Sequence, residues 1–169
     1  MIRVSNAMAL LVASLAVIGF LALVLAGASI PSASWTILFL LLLWALAAID
    51  MATETVPDIL TYALVVGGLA HTLAAGWPFA PSLVGAMLLL ALGYLHGFVT
   101  GDKGWIGSGD FFLTAGLVAW FGPFLLVDVL ALASVFLVLH GLIVRQSSIA
   151  LAPSLALSAT LIWFEGAIL

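Results

Sequence analysis

The chain has 169 residues, 66% of them hydrophobic and only 6% charged, with a mean hydropathy of +1.43. A soluble domain carries about 25% charged residues, so the polar surface here is too small to cover one and the whole chain is expected to be a bundle of membrane-spanning helices. A net charge of −4 offers no basic surface for nucleic acid, and the absence of Cys excludes disulfides, thiol catalysis and cysteine metal sites.

A spanning helix needs roughly 17–25 apolar residues. Seven runs are candidates: 7–29, 32–49, 59–76, 81–99, a short run ending at Phe121, 124–144 and 149–166. Pro31, Gly76 to Pro78, Pro81 and Gly122-Pro123 punctuate the joints. The expected fold is therefore all-α, a polytopic transmembrane bundle of about seven spans. It forms one domain over 1–169, with 1–31 as an extra N-terminal span and 32–167 as the core.

The first run has Ala26-Gly27-Ala28 near its end, which resembles a signal-peptide cleavage site. Its apolar stretch of roughly 20 residues exceeds the usual 7–15, so an uncleaved span is expected. Cleavage would leave six spans. The fifth run, 111–121, reaches only about 16 Å at 1.5 Å per residue. A start nearer Trp105 or Ile106 is expected, which would place Asp110 inside the membrane boundary. Arg3, Lys103 and Arg145 then all fall on one side, which the positive-inside rule makes cytoplasmic.

Five of the seven acids fall on that same side: Asp50, Glu54, Asp58, Asp102 and Asp110. Asp58 follows Pro57 and suits an N-cap or first-turn acid. Glu54 suits a solvated loop. Asp50 is less easily explained, because it ends a helix, where the macrodipole disfavours negative charge. The second cluster, Thr100-Gly101-Asp102-Lys103-Gly104-Trp105-Ile106-Gly107-Ser108-Gly109-Asp110, is glycine-rich but lacks a P-loop ending. Its closing carboxylate would repel phosphate. Asp128 and Glu165 are expected to be solvated helix ends. His71, His96 and His140 are expected to be packed and hydrogen-bonded. Trp35, Trp44, Trp77, Trp105, Trp120 and Trp163 lie near expected helix ends and suit interfacial anchors.

Taken together, the two acidic clusters resemble the type IV prepilin peptidases. Asp50 followed by Val56-Pro57-Asp58-Ile59-Leu60-Thr61 is similar to that family's Asp, short loop and Leu-Pro-Asp-x-Leu-Thr. The 100–110 segment is similar to its Thr-Gly-x-x-Gly-Met-Gly-x-Gly-Asp. Ala119-Trp120-Phe121-Gly122 and Ala152-Pro153-Ser154-Leu155-Ala156-Leu157 continue the likeness, which runs from about Trp44 to Ala159.

The resemblance implies a membrane aspartyl endopeptidase with Asp50 and Asp110 as catalytic pair and 32–167 as catalytic core. It implies cleavage of prepilin or pseudopilin leaders at the cytoplasmic face of the inner membrane. No cofactor and no metal are expected. Glu54, Asp58, Asp102, Gly107 and Gly109 would support the site, the three acids by attracting a basic leader. Two adjacent carboxyls share one proton, so one activates water while the other protonates the substrate carbonyl.

This chain departs from the pattern at Phe112, where the family often has Lys, and at Ala152, where Gly is usual. The N-terminal cytoplasmic domain of longer members is absent from this reading, so no N-methyltransferase activity is expected. Gly107-Ser108-Gly109-Asp110 also resembles the second motif of presenilin-type proteases, but Ile49 stands where their Tyr would precede the first Asp. The remaining alternatives are a divalent-cation site built from the five acids and a non-catalytic transport or assembly subunit. No loop has a ligand set dense enough to require a metal.

Overall fold

A computed structural model describes residues 30–53, 55–100, 107–144 and 151–168, with side chains over 33–53, 55–100, 107–139 and 151–165. The first apolar run, its cleavage alternative, and all three basic residues lie outside the described residues. The described residues form five helices and no strand: α1 (Ile30–Thr53), α2 (Asp58–Ala74), α3 (Phe79–Thr100), α4 (Ser108–Val144) and α5 (Ala152–Ile168).

The helix boundaries follow from local chemistry. Pro57 occupies the N-cap position of α2, and its carbonyl accepts the N–H groups of Leu60 and Thr61, both at 3.2 Å. Asp58 is the first-turn acid of this helix, and no side chain caps it. At the far end Gly76 takes φ 70°, and the Trp77 N–H returns to the Thr72 carbonyl at 3.0 Å. A glycine in this left-handed conformation satisfies the last carbonyls of a helix without a Cβ clash.

Within α4 the helical path breaks at Gly122, which has φ 73° and ψ 169°, immediately before Pro123. The fifth and sixth runs are therefore two helical segments, 108–121 and 123–144, joined at one residue. Gly107 is not helical, so the first segment begins at Ser108. This corrects the expected start near Trp105 or Ile106. Asp110 lies in the first turn of its helix rather than deeper inside it.

Among the described residues, three helices are suited by length and composition to crossing a membrane: Ala33–Thr53, Phe79–Thr100 and Ser108–Leu139. Asp58–Ala74 is a shorter apolar helix. These lengths establish a helical bundle with three long apolar helices among the described residues; the expected first span lies outside them.

α4 is central. It packs against α2, α3 and α5, while α1 packs against α2 and α5. Lipid is as apolar as a helix surface, so membrane helices associate by close packing, and small residues allow it. On α2, a Cβ at Gly68 would lie 2.7 Å from the backbone carbonyl carbon of Ala119 and 2.6 Å from the Trp120 ring. On α3, Gly93 sits under the Phe112 ring, which a Cβ would meet at 2.5 Å. Two tryptophans tie α1 to α5: Trp44 donates to Thr160 Oγ1 at 3.1 Å, and Trp163 donates to Thr36 Oγ1 at 3.0 Å.

The tryptophans correct a second expectation. Trp120 is fully buried and donates to the Leu64 carbonyl at 2.8 Å, and Trp44 is buried too. They are packing residues whose N–H groups find acceptors inside the bundle, so they have no need of an interface. Trp35 and Trp163 are half-buried, and only Trp77 among the described tryptophans is exposed. Trp105 lies outside the described residues.

His71 is buried, stacked on Trp120 with ring centroids 5.1 Å apart and edge-on to Trp35 and Trp77. Its Nδ1 has no hydrogen-bond partner, and neither has Nδ1 of His96. The histidines are thus packed as expected, but aromatic rings replace the expected hydrogen bonds at these atoms. The His140 side chain lies outside the described residues.

Candidate functional site

Asp50 sits in the last turn of α1 and is only 7% exposed. A carboxylate at that depth needs hydrogen bonds. Its Oδ2 accepts the backbone N–H of Ala152 at 3.2 Å. Ala152 opens α5, so a helix N-terminus faces the acid that ends α1. Nearby, the Thr53 hydroxyl donates to the Ile49 carbonyl at 2.9 Å and closes the end of α1.

Asp110 is the third residue of α4. Its Oδ2 accepts the Gly107 N–H at 3.2 Å, while its own N–H donates to the Gly107 carbonyl at 3.1 Å. This is the carboxyl half of a capping box, and the helix dipole favours a negative charge there. The Thr114 hydroxyl bonds the Asp110 carbonyl at 2.6 Å. Asp110 is partly buried, and the charge of Asp50 acts on it. Two acids sixty residues apart in sequence thus come within electrostatic reach at one end of the bundle.

Gly109 explains part of that approach. A Cβ there would lie 2.9 Å from the Cβ of Val56, in the loop that follows α1. The bare backbone lets the start of α4 rest on this loop, which carries Asp110 towards Asp50. Gly107 has open space around its Cβ position, the nearest atoms being 3.9 Å away. Its backbone N–H, rather than its lack of a side chain, is what the geometry uses.

The other candidate residues divide. Asp58 is exposed at the start of α2. Glu54 and Asp102 lie outside the described residues, as does most of the glycine-rich loop. Asp128 and Glu165 are exposed. Among the described residues no three His, Asp or Glu side chains converge as a metal would require.

Two features escaped the sequence reading. The Ala152 N–H could not be found there, since nothing local in Ala152-Pro153 points to a carboxylate so far back in the chain. Phe112 had a signal, its departure from the resembled pattern, and the structure gives it a structural place. It is buried against Gly93, with its ring 4.9 Å from Tyr94 and 6.3 Å from Tyr62, whose hydroxyls hydrogen-bond each other.

Residues 37–142 match the model of the type IV leader peptidase family. The chain belongs to this family.

Among curated relatives, the Prepilin leader peptidase/N-methyltransferase of Aeromonas salmonicida is 38% identical over 115 residues, 63% of this chain and 39% of the relative. The protein of that name from Klebsiella pneumoniae is 40% identical over 103 residues, 58% of this chain and 45% of the relative. A Type 4 prepilin-like proteins leader peptide-processing enzyme of Escherichia coli O78:H11 is 29% identical over 137 residues, 76% of this chain and 51% of the relative. The chain thus spans about half or less of the length of these three relatives. No solved structure matches. Membership of this leader peptidase family, together with the three long apolar helices, makes the chain a multi-pass membrane protein.

Proposed function

We propose that this chain is an aspartyl endopeptidase of the inner membrane that removes the leader peptide of prepilin-like proteins at the cytoplasmic face. The observation that supports the reading is that each of Asp50 and Asp110 has one oxygen held by a backbone N–H and that the charge of Asp50 reaches Asp110. The leader-peptidase activity for which the relatives are named supports the substrate class.

In this proposal the two carboxyls share one site and hold one proton between them, because ionising both is costly. The ionised carboxyl takes a proton from water. The protonated one donates to the peptide carbonyl as water attacks, with no acyl-enzyme. Backbone hydrogen bonds on both acids keep the pair oriented before substrate arrives. The full topology in this proposal is about seven spans, with the first of them over 1–31 and the catalytic core over 32–167. Glu54, Asp58 and Asp102 draw the basic leader to the site.

The test is cleavage of a prepilin in membranes holding the intact protein or Asp110→Asn. The expected result is a new N-terminus at the leader junction with the intact protein, no product with the variant, and slower cleavage once the leader's basic residues are neutralised. An inert intact protein, folded and tried on several prepilins, would refute the proposed activity.

A further inference from the structure

The N–H groups at the start of α5 are nearly all accounted for. Pro153 has none, and the Leu155 N–H goes to the Leu151 carbonyl at 3.1 Å. The Ala152 N–H goes to Asp50, 102 residues earlier in the chain. Asp50 therefore acts as the cap of a helix to which it does not belong. Its place in α1 works against its charge, since the last turn of a helix carries roughly half a negative charge. The first turn of α5 carries the opposite partial charge and adds a hydrogen bond to it.

The geometry points to the N-terminus of α5 as the positioning element for Asp50. The Ala152 N–H fixes the plane of the carboxyl and offsets the negative end of α1. Ala152 touches Asp50 and no reacting atom, so it is a positioning residue. The role belongs to the backbone, which is why Ala serves where the resembled pattern has Gly. Ala152 is also 1% exposed, so a bulky side chain would separate the two helices. The inference rests on the reading that Asp50 and Asp110 work as a pair, but the contact can be tested apart from it.

The experiment replaces single backbone amides by esters in the full chain, using hydroxy-acid analogues of Ala152 or Leu155. The ester at 152 removes the Ala152 N–H that Asp50 accepts and weakens the Leu151 carbonyl as acceptor, while the ester at 155 removes the Leu155 N–H to that carbonyl and leaves the Ala152 N–H in place. The readout is the carboxyl stretching band of Asp50 by infrared difference spectroscopy, identified by its loss in Asp50→Asn. The ester at 152 is expected to shift this band, because a hydrogen bond to the carboxyl is lost. The ester at 155 is expected to leave it in place. Cleavage should fall with the ester at 152, through kcat and with KM unchanged. An unmoved band, or equal movement by both esters, overturns the inference. Persistent cleavage by Asp50→Asn would refute the paired-aspartate reading, while the band still decides the contact.

Discussion

Gly109 and Gly107 stand two residues apart in the same motif, and the structure gives them different work. A methyl group at 109 would press on Val56 at 2.9 Å, whereas one at 107 meets nothing closer than 3.9 Å. Overpacking a close contact costs about 1–3 kcal/mol, and here the strain falls on the contact that brings Asp110 to its partner. Gly109→Ala is therefore expected to lower cleavage at least about tenfold, while Gly107→Ala stays within about threefold, the cost of a poorer cap. Initial rates on one prepilin, normalised to folded protein, check this. The sequence showed that glycines crowd before Asp110 without showing which of them touches anything, because that depends on Val56 in a distant loop. Phe112 is a similar case. Its departure from the family pattern was visible, but its place between Gly93 and two tyrosines was not.

At the level of elements, the apolar runs marked the helices well, and Gly122-Pro123 marked the break in α4. The start of α4 is set by capping rather than by length: the Asp110 carboxyl reaching back to the Gly107 N–H fixes the boundary. For the tryptophans, position near a helix end says nothing of acceptors on a neighbouring helix. Trp44 with Thr160, and Trp163 with Thr36, link α1 to α5 and so hold the Ala152 N–H at Asp50. A double-mutant cycle of Trp44→Phe and Thr160→Val, read by unfolding in detergent, is expected to give a coupling of about 0.6–1.7 kcal/mol, the range for hydrogen bonds between membrane helices. Strict additivity would mean that this bond contributes nothing.

Over the whole molecule, the topology sets α1's end, the starts of α2, α4 and α5, and the end of α3 on the side of the carboxyl pair. The turn after α2 and the break in α4 lie towards the other side. The chain has no cysteine, so single cysteines report sidedness cleanly. Thr55→Cys, beside Asp50, should react with an impermeant thiol reagent only after the membrane is opened, and Trp77→Cys should react from outside. The reverse pattern would place the site on the outer face. The central claim is that Asp50 and Asp110 act as one unit, and kinetics of the single and double variants test it most directly. Asp50→Asn and Asp110→Asn should each lower kcat on a prepilin by at least about a thousandfold, with the double variant no slower than the worse single, because groups that act together are not additive. Substantial activity in either single variant, or losses that multiply in the double, would contradict the account.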